Sequence, residues 1–188
     1  MRRESPLMIF SEREIREILI SWFVLSLAFN ILFHRFSLKG LPLMLLVVGT
    51  AFVFHELAHK FVAQSYGLFA EYRLSSQGLM LALLSSLFGF VIAAPGAVYM
   101  QGYYVTEEVY GKTALAGPLA NILVAIFGLI LFPLGFSWIS MVIRINLFIG
   151  LFNLIPFPPF DGSKIMRWNS TIWGLTVGLA LVLFMLSF

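Results

Sequence analysis

Apolar residues along this chain neither alternate with polar ones nor form the one-sided helical stripe of a soluble protein. They run on continuously, broken by short charged stretches or by Pro and Gly. Six runs stand out: Ile18 to Phe33, Leu41 to Tyr66, Leu79 to Met100, Thr113 to Phe132, Ser137 to Phe157 and Asn169 to Phe188. None is amphipathic. Such runs predict helices buried in lipid or in each other, since backbone groups in hydrocarbon must be satisfied within their own segment. The third run is anomalous. Between Arg73 and Glu107 lie 33 uncharged residues, too many for one span of about 20, and Pro95-Gly96 interrupts them.

The positive charges test how that third run is used. A full crossing sorts Lys and Arg as six on the N-terminal side (Arg2, Arg3, Arg13, Arg16, Lys60, Arg73) against five opposite (Arg35, Lys39, Lys112, Lys164, Arg167), which is no bias. If the run enters and returns, Lys112, Lys164 and Arg167 change sides. The count becomes nine against two, with Arg144 inside a span, as the positive-inside tendency requires. The sequence therefore predicts a re-entrant excursion over 79–100, five complete crossings and a cytoplasmic N-terminus.

Composition agrees and adds exclusions. Of 188 residues, 60% are hydrophobic and 11% charged, about half the charged fraction of a soluble domain. The length allows one membrane domain over 1–188 and no separate soluble one. A net charge of +3, spread along the chain, speaks to membrane orientation and not to nucleic acid. With no Cys there is neither a disulfide framework nor a thiolate metal site. The first apolar run lacks a small-residue cleavage site and is read as a retained helix. No internal repeat appears, which weakens a transporter built from duplicated halves.

The second run carries His55-Glu56-Leu57-Ala58-His59 without leaving its apolar context. Ionisable groups in hydrocarbon are costly and normally mark function. Residues four apart lie about 40° apart around a helix and one turn along it, so His55 and His59 share a face. Two imidazoles so placed can bind one Zn2+, with Glu56 beside them as general base. A catalytic zinc needs a third protein ligand and one open position. His34 lies in a charged loop beside Arg35, Glu4, Glu12, Glu14 and Glu17 belong to the N-terminal segment, and Glu71, Glu107 and Glu108 lie in polar connections. Asp161 is left. Pro156, Pro158 and Pro159 forbid a regular helix before it, and Gly162 permits a turn that aims a carboxylate back at the bundle. A capping or interfacial Asp is the plainer alternative.

His55-Glu56-x-x-His59 in one membrane helix, with Asn153-x-x-Pro156-x-x-Pro159-x-Asp161-Gly162 closing a later one, resembles the site-2 protease family of intramembrane zinc metalloproteases, in a compact form without a PDZ domain. The stretch from Ala116 to Asn121 looks like the small-residue start of that family's intervening helix, and Gly96-Ala97-Val98 like the edge of its membrane-embedded β-hairpin. The resemblance covers roughly Leu43 to Arg167, and the catalytic core is taken as about 41–167. It implies an all-α polytopic bundle with a re-entrant segment and a small β-hairpin. It implies one zinc held by His55, His59 and Asp161, Glu56 as acid and base, and Asn153 near the scissile carbonyl. The implied partners are the lipid bilayer and a substrate protein with a transmembrane helix, cut in or near that helix in regulated intramembrane proteolysis. The hydrophobic insertion around Leu79 to Ile92 departs from the family pattern.

Glu56 and Asp161 lie near the far ends of the second and fifth runs, so they reach one metal only if an even number of crossings intervenes. Re-entry supplies that and puts the site towards the cytoplasmic half of a multi-pass cell-membrane protein. Asn153 either donates to a developing oxyanion or ties the Pro-broken backbone. The extended stretch Gly96 to Tyr104 is expected to hold substrate by strand addition, so Pro at Ala97 or Tyr99 should reduce cleavage. Arg144 snorkels towards an interface, and Gly174 and Gly178 fit close helix packing. Two other classes stand beside the protease: a transporter or metal-permeation protein using the same His and Asp cluster without hydrolysis, and a scaffold with a structural zinc. Glu56 argues against the first, because a transit site needs no such carboxylate. Closed structural sites use four protein ligands, which argues against the second. The oligomeric state stays open.

Overall fold

The structure is a computed structural model that describes residues 9–102 and 105–187. Arg2, Arg3, Glu4 and Tyr104, used above in the charge count, the ligand search and the extended stretch, lie outside the described residues. The chain is a helical membrane bundle with one small sheet. Among the described residues three helical stretches, Glu12–His34, Leu38–Ser65 and Glu107–Leu134, are long and apolar enough to cross a bilayer. Two further apolar helices, Trp138–Asn153 and Ser170–Leu186, have 16 and 17 residues, or about 24 and 26 Å at 1.5 Å per residue. The partition of side chains is that of a protein dissolved in lipid. Leu123, Phe127 and Leu175 are exposed, while Ser21, Ser26, Asn30, Asn121 and Asn146 are fully buried.

Helix α1 (Glu12–His34) begins where the Ser11 hydroxyl accepts from the Glu14 N–H at 3.1 Å, an ordinary N-cap. After a short 3-10 turn, α2 (Leu41–Val48) passes through a π-helical turn (Gly49–Val53) into α3 (Phe54–Ser65), the carrier of the two histidines. Strand β1 (Phe69–Leu74) follows, then α4 (Ser76–Ser86) and β2 (Gly96–Gln101). Helix α5 (Glu107–Leu131) is central and packs on α3, α6 (Trp138–Asn153) and α7 (Asp161–Trp168), and α8 (Ser170–Leu186) closes the bundle against α6 and α7.

The anomalous third run does not form one helix. Its helical part has 11 residues, about 16 Å, well short of the roughly 30 Å hydrocarbon core. The chain then returns to where it left. Leu74 of β1 pairs with Gly96 of β2, and the Ser75 N–H donates to the Pro95 carbonyl at 2.7 Å. The excursion therefore starts and ends at one level, as re-entry requires. The two strands are not a tight hairpin, because the whole excursion is inserted between them.

The sheet has two edges, and one is already occupied. The Tyr72 and Leu74 N–H groups donate to Glu14 Oε1 and Glu17 Oε2, each at 2.9 Å, and Lys60 Nζ donates to the Ala70 carbonyl at 2.8 Å. Lys60 Nζ also donates to both Glu14 oxygens, at 2.9 and 2.6 Å, in a fully buried ion pair. These acids do not lie in a polar N-terminal segment, as their sequence context suggested. They are in α1 and seal β1. Because Tyr72 and Leu74 turn their amides outward, Glu71 and Arg73 turn theirs to β2, where they face Tyr99 and Ala97. The open edge of the sheet is thus offered by the backbone of Val98 and Met100, and nothing among the described residues pairs with it.

Candidate active site

One turn of α3 separates His55 from His59, and their rings meet edge to face with centroids 4.6 Å apart. Each ring is fixed from behind. His55 Nδ1 lies 2.7 Å from Asn121 Oδ1, and His59 Nδ1 lies 2.7 Å from the Thr113 carbonyl. A carbonyl only accepts, so His59 carries its proton on Nδ1. Asn121 is oriented by its own amide, which donates to the Ala51 carbonyl at 2.7 Å and to Asn146 Oδ1 at 3.2 Å. Its oxygen therefore faces His55, which also donates from Nδ1. Asn146 is held in turn by Val142 and Thr50. The chain from His55 thus crosses α5 and α6 and ends on the π-helical turn before α3.

Both Nε2 atoms point the other way, at a single oxygen. Asp161 Oδ2 lies 3.3 Å from His55 Nε2 and 3.0 Å from His59 Nε2. Two lone pairs aimed at a carboxylate oxygen repel unless a cation, a ring proton or a metal ion, lies among them. The three ligand atoms fall within 4.8 Å of one another and all three residues are buried. Burial pushes the Asp161 carboxyl up, but the two imidazoles facing its Oδ2 outweigh that and hold the group well below the usual carboxylate range. The seat is also kept clear. A Cβ at Gly117 of α5 would lie 2.4 Å from His59 Nε2 and 2.6 Å from His55 Nε2. The donor set, two imidazoles and one carboxylate, suits a divalent transition metal.

Asp161 reaches this point because the Pro-rich stretch ends α6 at Asn153 and lets α7 begin at Asp161 itself, with Phe160 as its extended N-cap. Gly162 is needed for close approach, since a Cβ there would lie 2.1 Å from the Leu154 carbonyl oxygen. Glu56 stands beside the cluster, and its Oε2 is buried without a hydrogen-bond partner. Such an atom is expensive unless a guest satisfies it. Two cavities meet at Glu56. One, of about 70 Å³, lies among His55, His59, Thr113, Asp161 and β2, room for a few waters. The other, of about 310 Å³, is largely apolar and runs between Phe29 of α1, the 91–97 segment and Phe148 and Phe152 of α6. Asn153 borders both, with its amide donating to the Ile149 carbonyl at 3.0 Å.

Asn121, Thr113 and Lys164 also belong to this site. Asn121 had a readable signal, being a polar residue in an apolar run. Replacing it with Leu removes the partner of His55 and frees the ring to change tautomer. Metal affinity should then fall by about 10- to 100-fold, with the helical circular dichroism unchanged. Titration with a competing chelator measures this, and an unaltered affinity would show that the ring is not held from Asn121.

Comparison with known proteins places this geometry in context. A Methanocaldococcus jannaschii protein provisionally named a zinc metalloprotease is 45% identical over 184 residues, covering 94% of this chain and 95% of the relative. A Bacillus subtilis protein, also provisionally named a zinc metalloprotease, is 29% identical over 161 residues, 72% of each chain. A second M. jannaschii protein, named a zinc metalloprotease, is 30% identical over 151 residues, 72% of this chain but 39% of its own length. No family model and no solved structure matches the chain.

Proposed function

The chain belongs to the zinc metalloprotease family of its 45% identical M. jannaschii relative, and from that membership we propose that it is an intramembrane endopeptidase of the site-2 protease type. On this reading it hydrolyses a peptide bond in or near the transmembrane helix of a substrate protein. The observation that carries the reading is the convergence of His55 and His59 Nε2 on Asp161 Oδ2, beside a buried and unpartnered Glu56 oxygen, inside an apolar bundle. The spacing His55-Glu56-x-x-His59 and the Asn153-to-Gly162 motif support the finer family assignment. The positive-charge count supports a cytoplasmic N-terminus and a site open to that side.

His55, His59 and Asp161 would hold the zinc, which when bound would supply Lewis acidity and lower the pKa of water towards about 7. Glu56 takes the proton of the attacking water as its oxygen bonds to the scissile carbonyl carbon. When the C–N bond breaks, Glu56 delivers that proton to the leaving nitrogen. Asn153 has a second amide hydrogen, and its place at the junction of the two cavities suits donation to the developing oxyanion. The apolar cavity suits the hydrocarbon side chains of a substrate helix. A helical peptide bond is screened by its own turns, so the substrate must be extended where it is cut.

Strand addition to the open edge of β2 holds an extended chain without demanding a sequence. The register changes how this is tested. Ala97 and Tyr99 turn their amides to β1, so Pro at either position damages the sheet itself. Val98→Pro removes an outward amide instead. It should slow cleavage by about tenfold, the loss of one hydrogen bond of roughly 1–1.5 kcal/mol, with zinc content intact. The reading as a whole is tested in proteoliposomes by mass spectrometry of the fragments of a single-span substrate. New termini within or beside the span support it. Cleavage only in a soluble segment far from the span would overturn the intramembrane assignment.

A further inference from the structure

Resting on the metalloprotease reading, we infer that Lys164 is a positioning residue of the metal centre, holding one oxygen of Asp161 so that the carboxylate offers only the other to the ion. The two oxygens of Asp161 have different surroundings. Oδ2 faces both histidine Nε2 atoms, while Oδ1 accepts from Lys164 Nζ at 3.1 Å. Lys164 stands one turn further along α7, where positions three apart share a face. That turn is fixed at both ends. Ser163 Oγ donates to the Phe160 carbonyl at 2.8 Å, and Ile165 is fully buried. The Lys164 side chain is 30% exposed yet borders the small cavity beside Asp161, Glu56 and Asn153. Its other acidic neighbours are Glu56, on that same small cavity, and Glu107, which shares an outer cavity with Lys164 and Arg167. Glu108 is occupied by Lys112 at 2.6 Å.

The consequence is chemical. A free carboxylate can bind a metal through one oxygen or two, and a second oxygen takes the position that hydrolysis needs open. An ammonium on Oδ1 competes with the ion for that oxygen. It also fixes the plane of the carboxylate, as outer partners of metal ligands generally do. Lys164 thus touches neither the peptide bond nor the ion, and acts through Asp161.

The test uses full-length protein loaded with Co2+, whose visible bands are intense in four-coordinate sites and faint at higher coordination. Lys164→Met keeps the apolar stem and removes the charge, and Lys164→Arg restores it. Expected are strong bands in the wild type and the Arg variant, faint bands in the Met variant, and about 10- to 100-fold slower hydrolysis in the Met variant with one metal still bound. A Met variant with the wild-type spectrum would overturn the inference and leave the protease reading standing. A wild type that takes up no cobalt would overturn both.

Discussion

Glu56→Gln is expected to cut peptide-bond hydrolysis by about 10²- to 10⁴-fold, the range for losing a positioned general acid and base, while the protein still binds zinc. The exchange preserves size and an acceptor oxygen but cannot accept the water proton or return it to the amine. Metal binding survives because Glu56 is not among the three converging groups, which are His55, His59 and Asp161. Its Oε2 has no hydrogen-bond partner to lose, so the exchange breaks no contact at that oxygen. The assay is single-turnover cleavage of a transmembrane substrate beside metal analysis of the same sample. Hydrolysis within about threefold of wild type, less than the smallest effect of losing a general base, would remove Glu56 from the chemistry. Equal zinc transport by both proteins in sealed vesicles would point to the permeation alternative.

The second large effect belongs to a residue without a side chain. Gly117→Ala adds a methyl 2.4 Å from His59 Nε2 and 2.6 Å from His55 Nε2, against the two ring nitrogens proposed to hold the metal. Neither ring can swing aside cheaply, since each is hydrogen-bonded from behind at 2.7 Å. Ala is otherwise the better helix former by about 1 kcal/mol, which offsets part of the cost of displacing a ring, so the variant should still insert and keep its helical circular dichroism. Zinc affinity should fall further than the roughly 10- to 100-fold expected for losing one outer partner, and hydrolysis with it. Retention of zinc at wild-type affinity would place the ion elsewhere than between these rings.

Much of the architecture was legible because lipid removes choices. Continuous apolar runs left helices as the answer, and the charge asymmetry flagged 79–100 as unable to be an ordinary span. The spacing of His55 and His59 fixed their shared face before any tertiary information. Asp161 emerged by elimination among so few acids. What stayed hidden depends on contacts between distant parts of the chain. Glu14 and Glu17 look like solvated charges in a polar segment. They are buried because β1, 58 and 57 residues away, needs its Tyr72 and Leu74 amides capped. The link from His55 to Asn121 spans 66 residues, and the π-helical turn of Gly49–Val53 has no local signature. The strand register, which turns Val98 and Met100 to the open edge, follows from that same capping.

The arrangement of His55, His59 and Asp161 is tested most directly by X-ray absorption at the zinc edge of the purified wild-type protein, beside the metal content of the same sample. One zinc per chain, with the multiple-scattering signature of two imidazoles and nitrogen or oxygen donors at about 2.0–2.2 Å, is the expected result. A shell of oxygen donors without imidazole scattering, or a spectrum unchanged in Asp161→Ala, would contradict it.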